Sequence, residues 1–178
     1  NIVTNQNTEV QFSVSATDDD NNILRTTFIS LPPSDVGTIY NGATAVSAGT
    51  AYGTTKFTFR PYTNFYNNGG PNPNNKNTLF KFKVDDGCAE SNVADITIRV
   101  NFVNQPPTGK NFQKDGMQDE PINIEFDPYI SDIDNLISEL SIKIVGLPKS
   151  LGVLKTTSNT TVQVNQQLSN RKVIFAPN

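Results

Sequence analysis

The sequence predicts an all-β fold on three observations: a composition rich in Asn and Thr and poor in Leu and Ala, short stretches in which every second residue is apolar, and closely spaced turn signals between those stretches. Thr is stiff at χ1 and Asn competes for backbone hydrogen bonds, so both favour strands and turns over helices. Hydrophobic residues make up 35% and charged residues 17% of the 178 positions. Both fall below the usual about 45–50% (counted with Gly) and about 25% of soluble domains. Uncharged polar residues fill the difference.

The period-two stretches are Val10, Phe12, Val14 and Ala16; Phe57 and Phe59; Leu79, Phe80, Phe82 and Val84; and Ile96, Ile98 and Val100. Each reads as a half-buried strand. The intervening turns are DDDNN at 18–22, PPSDVG at 32–37, NG at 41–42, NNGGPNPNN at 67–75 and DDG at 85–87. Gly, Pro, Asn and Asp reverse a chain by supplying positive φ, fixed φ or local side-chain hydrogen bonds. Short strands with frequent turns predict a sandwich or a barrel.

The second half repeats the first. Asp20-Asn21 recurs as Asp134-Asn135, Leu31-Pro32 as Leu147-Pro148, and Phe59 before Pro61 as Phe175 before Pro177, always about 115 residues apart. That period fits a whole β-sandwich domain and is too long for a helical solenoid. We therefore expect two repeats, 1–105 and 106–178, joined in NFVNQPPTGK at 101–110. Pro106 and Pro107 predict a short, stiff junction, because each fixes φ and biases its predecessor to extended geometry. The second repeat is expected to lack its last strands, since VIFAPN at 173–178 aligns opposite TFRPYT of the first. Such a truncation would expose Phe126, Ile142, Ile144 and Phe175. The missing strands are expected either from a polypeptide continuing past Asn178 or from a neighbouring molecule by β-strand addition. The start at Asn1, not Met, reads as a piece of a longer protein.

In order along the chain, FTFRPYTNFYNNGG, LFKFKVDDG and SNVADITIRVNFVNQPP resemble the cadherin-like, immunoglobulin-like tandem repeats of large extracellular adhesins. Those repeats run from a strand ending in Pro, through an Asn-Phe-X-Gly-like turn and a strand ending in Asp-Gly, to a Val-Asn-Asp-X-Pro linker. ATDDDNN at 16–22 resembles their Asp-X-Asp turn, and SDIDN at 131–135 is a weaker counterpart. The likeness spans nearly the whole chain. Two departures are the long NNGGPNPNNKN stretch and Gln105 in place of the linker Asp.

The resemblance implies tandem β-sandwiches and calcium between them. Calcium takes six to eight oxygen ligands. Asp132 and Asp134, with Asn101 and Asn104 as neutral donors, would supply one site, and Asp18 and Asp20 with Asp85 or Asp86 would face a preceding repeat. The alternative is that these Asp residues bond their own turn backbone and need no metal, and Gln105 favours it by removing a charge.

Other chemistry is scarce. The chain has no His, which removes the commonest general base, nucleophile partner and metal ligand, and no phosphate-cradling Gly motif opens a helix. A net charge of −3 without a Lys/Arg cluster argues against nucleic acid. No run of about 18 apolar residues is long enough to span a membrane as a helix. Tyr62, Phe65 and Tyr66 could stack on a sugar ring, whereas Phe57, Phe59, Phe80, Phe82, Phe126 and Phe175 read as core. Cys88 reads as a buried small hydrophobe, with a bond to another chain as the alternative. Asn159-Thr160-Thr161 is an N-glycosylation sequon in a Ser/Thr-rich turn.

The function expected is a non-enzymatic structural or adhesive module at the cell surface or outside the cell. Its partners would be neighbouring repeats of the same chain, further copies or other surface proteins. The alternative is a carbohydrate-binding β-sandwich attached to a secreted enzyme.

Overall fold

The structure, a computed structural model, describes residues 1–17, 19, 24–76, 78–148 and 150–178. It is built of strands and turns, and divides into two compact units, Asn1–Asn104 and Gln105–Asn178.

Unit 1 contains β1 (Ile2–Asn5), β2 (Val10–Ser13), β3 (Arg25–Phe28), β4 (Gly37–Asn41), β5 (Thr44–Ala45), β6 (Ala51–Tyr52), β7 (Lys56–Pro61), β8 (Leu79–Asp85) and β9 (Ala94–Asn101). One sheet has the order β1-β9-β8-β3-β6 and the other β2-β7-β4-β5. All pairings are antiparallel except that β1 runs parallel to β9. The expected alternation sets the inward faces. β7 buries Phe57 and Phe59, β8 buries Phe80, Phe82 and Val84, and β9 buries Ile96, Ile98 and Val100. The two faces meet in one core, where Phe28 of β3 packs edge-on against Phe57 of β7 with ring centroids 4.9 Å apart. Val14 and Ala16, expected in the first strand, lie beyond β2, although the Val14 amide still bonds to Thr55 O at 2.9 Å.

Unit 2 contains β10 (Thr108–Gly109), β11 (Ile122–Glu125), a 3-10 turn (Asp127–Tyr129), β12 (Ile130–Ser131), a second 3-10 turn (Ile137–Glu139), β13 (Gly152–Thr156) and β14 (Lys172–Pro177). Its main sheet, β11-β14-β13, reproduces β2-β7-β4 residue by residue. Val10 and Phe12 pair with Phe59 and Phe57, and Ile122 and Ile124 pair with Phe175 and Val173. On the other side, Gly37 and Ile39 face Pro61 and Phe59, while Gly152 and Leu154 face Pro177 and Phe175. Val173 thus occupies the place of Phe57, one residue away from the alignment that set VIFAPN opposite TFRPYT.

Gly37 and Gly152 are needed for a shared reason. A Cβ on Gly37 would lie 2.5 Å from Arg60 O and from the Phe59 ring, and one on Gly152 would lie 2.3 Å from Ala176 O and 2.7 Å from the Phe175 ring. In each unit an aromatic ring covers a cross-strand glycine, a device that fills the space a side chain would otherwise take.

The open face of unit 2 is smaller than the sequence implies. Ile144 is buried, and Phe126, Ile142 and Phe175 are half-buried. The reason is that 142–144 pairs with 165–168: the amides of Ile144, Asn165 and Leu168 bond to Gln166 O, Ile144 O and Ile142 O at 3.0, 2.7 and 2.8 Å. Leu168 and Val162 are thereby brought onto Val173. The cores remain unequal, with fifteen buried apolar residues in unit 1 and four in unit 2 among the described residues.

This inequality gives a test by urea unfolding. Phe59→Ala, which empties a fully buried site, is expected to cost unit 1 about 3–5 kcal/mol. Phe175→Ala, at the equivalent half-buried position, is expected to cost unit 2 no more than about half as much. Among the described residues, Thr26 Oγ1 is the buried side-chain polar atom without a hydrogen-bond partner. Replacing that hydroxyl by a methyl in Thr26→Val is expected to raise the stability of unit 1 by about 1 kcal/mol, read as a higher urea midpoint at constant m-value.

Candidate functional site

The acidic residues singled out in the sequence lie in turns, and their carboxylates serve the turn backbone. Asp132 Oδ1 accepts the amides of Asp134 at 2.7 Å and Asn135 at 2.9 Å. Asp134 Oδ2 accepts the Gln105 amide at 2.5 Å, fastening the first residue of unit 2 to this turn. Asp86 Oδ1 does the same between β8 and β9, accepting the amides of Cys88 at 2.8 Å and Ala89 at 2.7 Å. Asp85 is paired with Arg25, whose Nε lies 2.8 Å from Oδ1, and the same oxygen accepts the Gly87 amide at 3.2 Å. Asp18 and Asp20 lie outside the described residues.

Asn101, a proposed neutral donor, belongs to a network of amides in unit 1. Its Oδ1 accepts from Asn68 Nδ2 at 2.9 Å, and its Nδ2 donates to Asn5 Oδ1 at 3.2 Å. Asn67 mimics a strand beside it: Nδ2 donates to Ile98 O at 3.0 Å and Oδ1 accepts from the Val100 amide at 2.7 Å. Gln6, only 3% exposed, donates from Nε2 to Asn64 O at 3.1 Å and accepts the Val103 amide on Oε1 at 3.1 Å. Sequence reasoning missed this cluster. The available signal was the surplus of Asn in NNGGPNPNNKN, which reads only as a long turn. Asn104 is exposed at the end of unit 1.

As a calcium shell, two carboxylates of unit 2, each with one oxygen committed to backbone amides, fall well short of six to eight ligands. Among the described residues no group of three or more His, Cys, Asp or Glu side chains is placed to hold a metal.

The aromatic trio divides. Phe65 is buried. Tyr66 packs edge-on against Phe102 at 4.9 Å, with Gly70 so close that a Cβ there would meet both rings, and its hydroxyl accepts the Asn72 amide at 3.3 Å. Tyr62 is 58% exposed. One exposed ring is not a stacking platform. Cys88, expected to be buried, is exposed with a free thiol, because the Asp86-capped turn projects it outward.

Asn159 is exposed at φ +65° in the tight turn that follows β13. Its amide bonds to Thr156 O at 2.9 Å, and Thr156 N bonds to Thr160 O at 2.8 Å across the reversal. Asn tolerates the left-handed conformation that such a turn requires. The sequon therefore stands at the tip of a hairpin.

Two curated proteins of Dictyostelium discoideum are similar to the chain. Integrin beta-like protein A is 32% identical over 108 residues, which is 60% of this chain and 5% of that protein. Integrin beta-like protein B is 26% identical over 184 aligned positions, covering 97% of this chain and 9% of that protein. The chain thus spans less than a tenth of the length of either relative. No protein-family model matches it, and no solved structure matches it. An adhesive or structural module is compatible with these relatives and with the all-β fold. No helix among the described residues is long and apolar enough to cross a membrane.

The acidic turns yield a direct test. Thermal unfolding of the chain in millimolar calcium and in chelator is expected to give one Tm. Asp132→Ala, which strips two amides of their acceptor, is expected to destabilise unit 2 by about 1 kcal/mol equally in both buffers. A calcium-dependent Tm abolished by the substitution would restore the metal to this turn.

Proposed function

We propose that the chain is a non-enzymatic adhesive or structural segment of an extracellular protein, built from tandem immunoglobulin-like repeats. The observation that carries this reading is the shared register of β2-β7-β4 and β11-β14-β13, down to the glycine under each aromatic ring. A unit used twice in succession supplies length and surface, as modular surface proteins require. In unit 1, β2, β7 and β4 face β9, β8 and β3, with β1 parallel to β9, which supports the immunoglobulin-like assignment. Similarity across 97% of the chain to a protein described as integrin beta-like supports the surface location.

The absence of His from the whole chain, and the use of the paired carboxylates as turn acceptors, support a role without catalysis. In this reading the chain works by geometry: each repeat presents loops and sheet faces to its neighbours, to further copies or to other surface proteins. The acidic turns hold their shape through backbone amides, without help from a cation.

The reading is tested on intact, unpermeabilised source cells with an antibody against residues 1–178. Labelling of the cell surface or the medium is expected, and labelling that requires permeabilisation would overturn it. In the same preparation Asn159 is expected to carry an N-glycan, seen as a mass lost on treatment with an N-glycosidase. A bare-polypeptide mass at the peptide containing Asn159 would remove the glycan from the proposal.

A further inference from the structure

We propose that unit 1 transmits tension along the chain through a shear clamp formed by β1, β9 and the buried amide of Gln6. The inference rests on the reading of the chain as a segment of an extracellular repeat protein, because only a chain held at both ends carries load.

Tension enters unit 1 at Asn1 and leaves at Asn104. The strands nearest those points, β1 and β9, are direct neighbours and run parallel, with Ile2 opposite Ile98 and Asn5 opposite Asn101. Pulling on the start of β1 and on the end of β9 slides one strand along the other. The ladder bonds between them are then loaded together instead of opening in sequence, as happens when two strands are parted from one end. Parallel ladders suit this loading because their bonds are evenly spaced along the strand.

Side-chain bonds reinforce the same line. Beyond the end of β1, the Gln6 amide bonds to Asn101 O at 2.8 Å, and Gln6 Oε1 accepts the Val103 amide. Asn5 Oδ1 accepts from Asn101 Nδ2, and at the other end the Thr97 hydroxyl donates to Asn1 Oδ1. Asn67 and Asn68 tie the far side of β9 to the 64–68 loop, and Gln6 Nε2 ties itself to Asn64 O. The Gln6 side chain is 3% exposed, so water is kept from the bonds that would have to break. Ile2 and Thr4 point inward from β1 and anchor it to the core face, at 4% and 8% exposure. Pulling β1 therefore also has to draw Ile2 out of the core.

The test is single-molecule force spectroscopy on the whole chain in two geometries. In the first, handles are attached at the two termini, and unit 1 is identified by its released length of about 350 Å. In the second, one handle is at Asn1 and the other on Cys88, the chain's single cysteine, which is exposed. Cys88 lies in the β8–β9 turn at the starting end of β9, so this geometry peels β1 from Ile2 onward. At matched force, unfolding through the termini is expected to be slower by about tenfold or more, the factor carried by one or two hydrogen bonds breaking together. Gln6→Ala is expected to speed unfolding through the termini about fivefold, and to leave the onset of peeling from Cys88 unchanged. Equal rates in the two geometries of the unmutated chain would overturn the clamp whether or not the variant folds, as would a Gln6→Ala chain as resistant as the parent. Either failure leaves the location of the protein untouched, whereas a protein confined within cells would remove the adhesive reading and leave the force measurement standing.

Discussion

The rest of the structure depends on the way a central strand packs through its alternate residues. In unit 1 that strand is β7, whose Phe57 and Phe59 point into the core while its two edges bond β2 and β4. Phe59 does three things at once: it is fully buried, it pairs between Val10 and Ile39, and its ring covers Gly37. The proline two residues on ends the strand, since Pro61 cannot donate to a continuing ladder. β14 repeats the arrangement with Phe175, Gly152 and Pro177. A one-residue slip of either strand would turn its inward residues to solvent and drive a ring away from its glycine, so the same few contacts set both register and identity of the fold.

Polar side chains do work here that backbone does in longer-stranded proteins. Past Thr97 the side of β9 facing β8 has no strand beside it, and Asn67 and Asn68 take that place with amide groups shaped like a peptide unit. Asp132 and Asp86 likewise satisfy pairs of turn amides that would otherwise need water. The composition follows from this: a fold made of short strands has many chain reversals, and each reversal needs a local acceptor or donor. Ionised carboxylates make stronger hydrogen bonds with backbone amides than neutral groups do, and the amide side chains bring both donor and acceptor without a charge to desolvate.

The strands that alternate cleanly, β7, β8 and β9, were legible in the sequence because each has one buried face. β1, β3, β4 and β13 were not. β1 is four residues long with a polar Thr4 turned inward, and β3 buries three successive residues, Thr26, Thr27 and Phe28, which erases the period of two. β4 and β13 begin at a glycine that reads as a turn signal, because its purpose, room for an aromatic ring across the ladder, is not local. The repeat was legible from Phe-X-Pro, but its alignment slipped by one at β14 for want of the pairing partners. The acidic turns were found as sequence features, and their chemistry stood open between metal and backbone until the amide contacts were known. Cys88 was misjudged because a small apolar residue type says nothing of the turn that displays it.

The two units close the same three-stranded sheet in different ways, and the difference sets their relative stability. Unit 1 covers β7 with the strands β3, β8 and β9, whose buried Phe28, Phe80, Phe82 and Ile98 make a continuous apolar layer. Unit 2 covers β14 with the irregular pair 142–144 and 165–168, bringing Ile144, Leu168 and Val162 into contact with it. Large apolar side chains such as Val145 and Leu151 stay outside. The Arg171 guanidinium, bonded from Nε to Asp127 at 2.6 Å and from a second nitrogen to Ser138 O at 3.4 Å, holds the two 3-10 turns to the start of β14. A partly exposed ion pair of this kind fixes geometry more than it adds stability. With fewer buried apolar side chains and more of its backbone bonds in reach of water, unit 2 lies at the low end of the range of opening free energies in this chain. Its sheet would therefore lose register at a denaturant concentration that leaves β7 in place.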